Sequence, residues 1–324
     1  MKRTYLILMT VAMVFAACKK SGPIIPVSVD NSSIGKAAEV LLVMDKNVWD
    51  TTMQDSVIAI LTQPQPATNQ VEPMFDVLQL NEKLFTDNKL RHFNILHFQL
   101  DTNLKEAKYS LERNNYSNPQ VYVEIRGANQ DSCFQLFLQH QDDILAEFYE
   151  NDIRKIQNAF TSIPNVEVQE KIRQKFGILL TVPKDYNIAR EGDDYLWLLY
   201  RTVKNDRCIM IYKSPTSELT RANMIDNRNR IFKNIEGERP DYHPVVVELG
   251  TLPFVFPMQI GAHQGAEMRG LWEMNDDWMG GPFYHYSFIT SHNETISIDG
   301  FVYAPEEEKR DYIRQVEAIV KSVK

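Results

Sequence analysis

The longest periodic stretch of the chain sets the plan of everything around it. Over residues 131–161, Phe134, Phe137, Leu138, Ile144, Leu145, Phe148, Ile153, Ile156 and Phe160 recur at three- and four-residue spacing, with charge and glutamine between them. That spacing predicts one long amphipathic helix, apolar on the side that meets a core and polar on the side that meets water. Pro164 breaks it. Residues 166–176 repeat the helical pattern on a smaller scale, and Gly177 ends it as a C-cap. The chain is therefore read as two halves, 38–165 and 166–324, with the seam at 164–177.

Short apolar or alternating runs fill both halves. In the first, residues 39–44, 75–80, 91–100 and 120–127 read as strands, and Asp50 or Thr51 caps a helix that Pro64 and Pro66 end. In the second, strands are expected over 177–183, 195–202, 207–212, 245–249 and 252–260, with a polar helix over 217–235. Residues 283–291 and 294–303 read as a hairpin turned at His292 and Asn293. Pro305 and the acids Glu306, Glu307 and Glu308 would open a closing helix, with Tyr312, Ile313, Val316, Ile319, Val320 and Val323 as its buried stripe. The expected class is α+β: two domains, each a largely antiparallel sheet with helices packed on it.

Composition limits what such a molecule can bind. A formal net charge of −8 with no basic block repels phosphate backbones, which argues against nucleic acid and against docking on anionic lipid by charge. Three cysteines are present. Cys133 and Cys208 lie far apart in sequence, with no CxxC and no neighbouring histidine, so buried thiols are the leading reading, a disulfide in an oxidising envelope the alternative, and a metal site ranks below both.

The N-terminus carries an address. Lys2 and Arg3 precede an apolar run over residues 5–17, of signal-peptide length and too short to span a bilayer. It ends in Phe15-Ala16-Ala17-Cys18, which resembles a lipobox, with Phe15 where Leu or Val is commoner. The resemblance implies a signal peptide over 1–17, acylation of Cys18 and a tether over 18–37 containing Gly22, Pro23 and Pro26. The protein would then sit in the cell envelope, held to a membrane by lipid. The basic Lys19 and Lys20 after the cysteine imply a periplasm-facing position.

Two further resemblances concern the globular part. Ile178-Leu-Leu-Thr-Val-Pro-Lys-Asp-Tyr186, the meander after it and Ile296-Ser-Ile-Asp-Gly-Phe-Val-Tyr303 before a last helix are similar to the sheet domains of PsbP and Mog1 proteins, which implies a binding or assembly module. Lipobox, length and asparagine- and glutamine-rich style together resemble the Bacteroidota lipoproteins of the domain-of-unknown-function 4837 type. Neither carries over a site residue.

Chemistry concentrates in residues 261–286, GAHQGAEMRGLWEMNDDWMGGPFYHY. Read as a ligand loop, Trp272, Trp278, Phe283, Tyr284 and Tyr286 offer flat faces to a glycan or a partner protein, with carboxylates as handles. Read as an acid/base site, His263, Glu267, Glu273, Asp276 and Asp277 supply the groups, His263 and Glu267 sharing a face if the segment is helical. Read as structure alone, it is a glycine-hinged loop whose aromatics fold back on the sheet edge or the seam. Ser287, Ser291 and His292 lack the nucleophile elbow of a serine hydrolase. The leading expectation is a non-enzymatic binding or assembly factor without metal or cofactor. An envelope hydrolase using carboxylates of 261–286 and a purely structural envelope protein are the alternatives.

Overall fold

In the computed structural model, residues 31–237, 239 and 241–324 are described. The signal-peptide reading of 1–17, Cys18 and the tether to residue 30 lie outside the described residues. Residues 32–37, the end of the expected tether, are pinned: Ile34 exchanges backbone hydrogen bonds with Arg91 and Phe93, and Ser33 accepts from Lys155.

The first sheet is built from β1 (Glu39–Val43), β2 (Asp76–Leu80), β3 (Asn94–Leu100), β4 (Lys108–Arg113) and β5 (Val121–Gly127), in the order β2-β1-β3-β5-β4. It corrects the antiparallel expectation: β2, β1, β3 and β5 all run parallel, and the edge strand β4 alone is antiparallel. The cause is the crossover helix α1 (Thr51–Leu61), which carries the chain from the end of β1 back to the start of β2. Asp50 caps α1 by accepting from Thr52 and Met53, as its position in the sequence suggests. The long helix α2 (Gln130–Ser162), capped by Asn129, lies with α1 on one face of this sheet, where Phe137, Ile144, Leu145 and Phe148 meet Val40, Leu42, Leu96, Phe98 and Val123.

The second sheet is antiparallel throughout. β6 (Asn187–Glu191), β7 (Tyr195–Arg201), β8 (Asp206–Ser214), β10 (Phe254–Ile260), β11 (His263–Met274), β12 (Gly280–Ile289) and β13 (Thr295–Tyr303) stand in the order β10-β11-β12-β13-β8-β7-β6, with the short β9 (Pro244–Val246) paired to β11. Helices α3 (Val166–Phe176) and α5 (Arg310–Val320) cover one face, and α4 (Arg221–Phe232) covers the other. Gly177 takes φ +72° at the end of α3, the left-handed cap that glycine adopts at no steric cost. Residues 178–182 are not a sheet strand: Leu179 pairs with Lys324 at the C-terminus, while Ile178, Leu180 and Val182 fill the core. Residues Ser32–Lys324 form one compact unit. Among the described residues no helix is long and apolar enough to cross a membrane.

Helix α5 joins the two sheets. Its apolar side packs on the second sheet through Ile313, Val316 and Val320. Arg310, Arg314, Glu317 and Lys321, at spacings of four, three and four, form a charged stripe toward the first half. The helix starts five residues after Pro305, because its cap comes from elsewhere in the chain. Glu72, buried in the first half, accepts the backbone N–H groups of Lys309 at 2.8 and 2.9 Å and of Arg310 at 2.6 Å. A carboxylate there meets both the unpaired donors and the positive end of the helix dipole.

The first sheet also carries a pH-sensitive element. His97 donates to or accepts from Tyr122 Oη at 2.8 Å and lies edge-on to Phe85, buried on the sheet face away from α2. Burial, helped by the Arg126 charge, pushes its pKa down to about 4. A depressed folded-state pKa means the unfolded chain binds the proton first, so this stability is present above about pH 6.5 and lost as pH falls toward 4. Urea midpoints measured across that range should fall with the slope of one proton, and His97→Gln should flatten the curve. An unchanged slope in the variant would show that the titrating group lies elsewhere.

Candidate functional site

The segment 261–286 is a two-stranded hairpin in the body of the second sheet, not a loop. Alternation along β12 sends Phe283, His285 and Ser287 toward α4, and Tyr284, Tyr286 and Phe288 toward α3 and α5. Trp272 is buried on the α4 side, and its Nε1 donates to the Val302 carbonyl at 3.1 Å. The expected exposed aromatic patch is therefore corrected: Trp272, Phe283, Tyr284 and Tyr286 are core. Trp278 is the exception, 102% exposed at the hairpin tip.

That tip is held firmly. Met274 N–H donates to the Met279 carbonyl across the turn, and Asp276 takes the left-handed conformation with φ +62°. Asn275 ties the tip to the preceding loop, accepting from His243 N–H at 2.6 Å and donating to the Asp241 carbonyl. Asp277 accepts from Trp278 N–H at 2.6 Å. On one side of the indole lies a cavity of about 550 Å³, lined by Trp272, Glu273, Asp277, Trp278, Tyr303, Glu306 and Lys309, with Asn69 and Gln70 from the first half. On the other side a hollow of about 390 Å³ is lined by Glu273, Asp276, Asp277 and Trp278. Lys309 is tied down at the cavity wall, its Nζ donating to the Glu307 carbonyl at 2.8 Å and reaching Gln70 Oε1 at 3.5 Å. The tip is thus an exposed indole bordering two hollows edged by carboxylates.

The remaining sequence candidates are dispersed. His263 and Glu267 lie on a strand, where four residues span about 13 Å, so the helical pairing is lost. His263 packs on the Phe288 ring at 4.3 Å. Glu267 is buried, accepting from Tyr284 Oη at 2.9 Å and Arg269 Nε at 3.3 Å. With Tyr149, Glu150, Arg269 and Lys321 it lines a cavity of about 360 Å³ at the seam, walled by Pro66, Met74, Leu145 and Met258. Apart from Asp142, each charge there already has a partner: Arg269 gives two hydrogen bonds to Glu317, which takes a third from Tyr149, and Lys321 pairs with Glu150 and Glu317. Burial alone would raise the Glu317 pKa, but Arg269 and Lys321 outweigh it and hold the group at about 2. Among the described residues no cluster of histidine, cysteine and carboxylate could hold a metal, and Cys133 and Cys208 are free and buried.

One network has the connectivity of a hydrolytic triad. His285 Nδ1 lies 3.0 Å from Asp299 Oδ2, and its Nε2 lies 2.7 Å from Ser287 Oγ, which continues to Ser297 and Ser214. Two facts remove it from catalysis. His285 and Asp299 are 0% exposed, and Ser287 is 2% exposed, so no substrate reaches them. Arg228, itself fully buried, also binds Asp299 at 2.8 and 3.2 Å, so protonating His285 would leave a net positive charge in the core.

In comparison with known proteins, each half matches one family model. Residues 33–161 match the model described as Domain of unknown function (DUF8532), and residues 165–322 match Domain of unknown function (DUF4837). No curated protein matches. Among solved structures, a Bacteroides thetaiotaomicron VPI-5482 protein is 13% identical, over 45% of this chain and 44% of its own, with a TM-score of 0.24. The Saccharomyces cerevisiae Ran-binding protein Mog1p is 9% identical, over 46% of this chain and 91% of its own, with a TM-score of 0.30. Over residues 165–322, just under half of its length, the chain is thus similar to the family described as Domain of unknown function (DUF4837).

Proposed function

We propose that this is a lipid-anchored, periplasm-facing envelope protein, acylated at Cys18, that works as a non-enzymatic binding factor for a glycan through the tip of the β11–β12 hairpin. The observation that carries the reading is Trp278, fully exposed on a pinned turn between cavities edged by Glu273, Asp276, Asp277 and Glu306. An exposed indole costs the free protein solvation that a bound apolar face recovers. Carboxylates beside it accept the hydrogen bonds that sugar hydroxyls donate. Titration with soluble cell-wall oligosaccharides should give saturable quenching of tryptophan fluorescence, and Trp278→Ala should weaken binding by at least about tenfold. Equal affinity in the variant would sink the glycan site, and binding of envelope proteins alone would move the partner class from glycan to protein.

A second reading, glycan hydrolysis, is favoured by one observation: Glu273 and Asp277 line the same cavity. It ranks lower because Asp277 is engaged by the Trp278 N–H, and because a general acid works best in a dry site while Glu273 is exposed. Release of reducing ends in the same titration would reverse the order. No binding and no release would leave the structural alternative.

A further inference from the structure

A different cavity, remote from the hairpin tip in its chemistry, combines an uncompensated cation with an orphan donor. It measures about 220 Å³ and lies where the end of α2, the approach to β6, strands β7 and β8 and helix α5 meet. Arg207, 9% exposed, reaches it from β8. Its guanidinium is held between the rings of Tyr200, at 4.0 Å, and Tyr312, at 5.3 Å. Nε donates to Asn205 Oδ1 at 3.1 Å and Nη1 to Gln315 Oε1. Among the described residues Nη2, which is not sealed from solvent, has no acceptor, and no carboxylate pairs with this arginine. The other buried arginines, Arg228, Arg310 and Arg314, each have one. A buried cation without a counterion is expensive, so the exception calls for a ligand.

Two further donors converge on the same space. Tyr186, 1% exposed, lines the cavity, and its hydroxyl has no hydrogen-bond partner. Burial pushes its pKa up, so it remains a protonated donor at any ordinary pH. Gln315 must turn its oxygen to Arg207, which can only donate, and this leaves the amide nitrogen as a donor. The remaining wall is apolar, from Ala159, Phe160 and Ile163. Asp185 also borders the cavity but is exposed and forms no ion pair among the described residues.

We infer that this cavity binds a small organic carboxylate, its oxygens on Arg207, Tyr186 and Gln315 and its apolar body against Phe160 and Ile163. The inference is independent of the glycan reading, which concerns another surface. Benzoate is the probe and inorganic phosphate the control, titrated calorimetrically into the full-length protein. Benzoate should bind saturably at about 1 mM or tighter. Tyr186→Phe removes an unpaired hydroxyl, so it should leave the unliganded fold unharmed while weakening benzoate by about tenfold. Arg207→Gln should abolish binding. Benzoate that fails to bind the wild type, or that binds Tyr186→Phe equally well, overturns the site. Phosphate binding in place of benzoate overturns the carboxylate assignment.

Discussion

Asp299→Ala is expected to cost the fold about 3–5 kcal/mol and to lower Tm by on the order of 10 °C. The reason is what it leaves behind. Arg228 is fully buried, its guanidinium stacked at 4.0 Å on Phe232 and 4.3 Å on Phe283, with Asp299 as its carboxylate partner. Removing that carboxylate strands a cation among aromatic rings and deprives His285 of its acceptor. Ser287→Ala, further along the same network, removes only neutral hydrogen bonds, to His285 and Ser297, and should cost about 1–2 kcal/mol. Urea denaturation of the two variants checks the contrast; equal losses would mean that the charge pair is not what holds α4 to the sheet. Burial alone would raise the Asp299 pKa, but Arg228 and His285 outweigh it and hold it below the usual carboxylate range. Its stabilisation is therefore present above about pH 4 and lost as pH falls, in the same acid range where Glu317 gives way toward pH 2.

What could be read from the sequence was whatever depended on neighbours along the chain. The period of α2, the caps Asp50 and Gly177 and the pairing of β12 with β13 are local, and all are present. The parallel order of the first sheet is not local: it depends on which strand α1 returns the chain to. The hairpin was misread because its glycines looked like hinges. Gly265 and Gly281 instead sit where an added Cβ would run into the carbonyl oxygens of Ser287 and Val302, so they mark close strand approach inside the sheet. Of the tip site, Glu273, Asp277 and Trp278 stood together in sequence, whereas Tyr303, Glu306, Asn69 and Gln70 arrive only through folding. Arg207 gave no signal at all, since an arginine in a strand declares itself only when its missing counterion can be seen.

Arg314→Met should cost about as much as the loss of Asp299, about 3–5 kcal/mol, and should also loosen one half from the other. Arg314 is fully buried; Nη1 donates to Asp152 Oδ2 at 2.6 Å, and Nη2 to Gln65 Oε1 at 3.0 Å and the Met74 carbonyl at 2.5 Å. Asp152, also fully buried, uses its other oxygen to accept from Ala38 N–H at the start of β1. One α5 side chain thus ties α2, β1 and the segment before β2 to the second sheet. With methionine there, Asp152 loses its ion-pair partner inside the core, and the acceptors Gln65 and Met74 lose their donor. Replacing the partner as well, in Arg314→Met with Asp152→Leu, removes the stranded charge and should recover most of the loss, because a buried pair is worth little more than an apolar substitute of its shape. The uncoupling shows in the probes. Trp49 reports the first half, and Trp197 and Trp272 the second, so single-tryptophan versions of the Arg314→Met protein should melt at different urea concentrations while those of the parent melt together. Coincident transitions in the variant would mean that the Glu72 cap, the Tyr149–Glu317 hydrogen bond and the Lys321–Glu150 pair hold the halves together without Arg314.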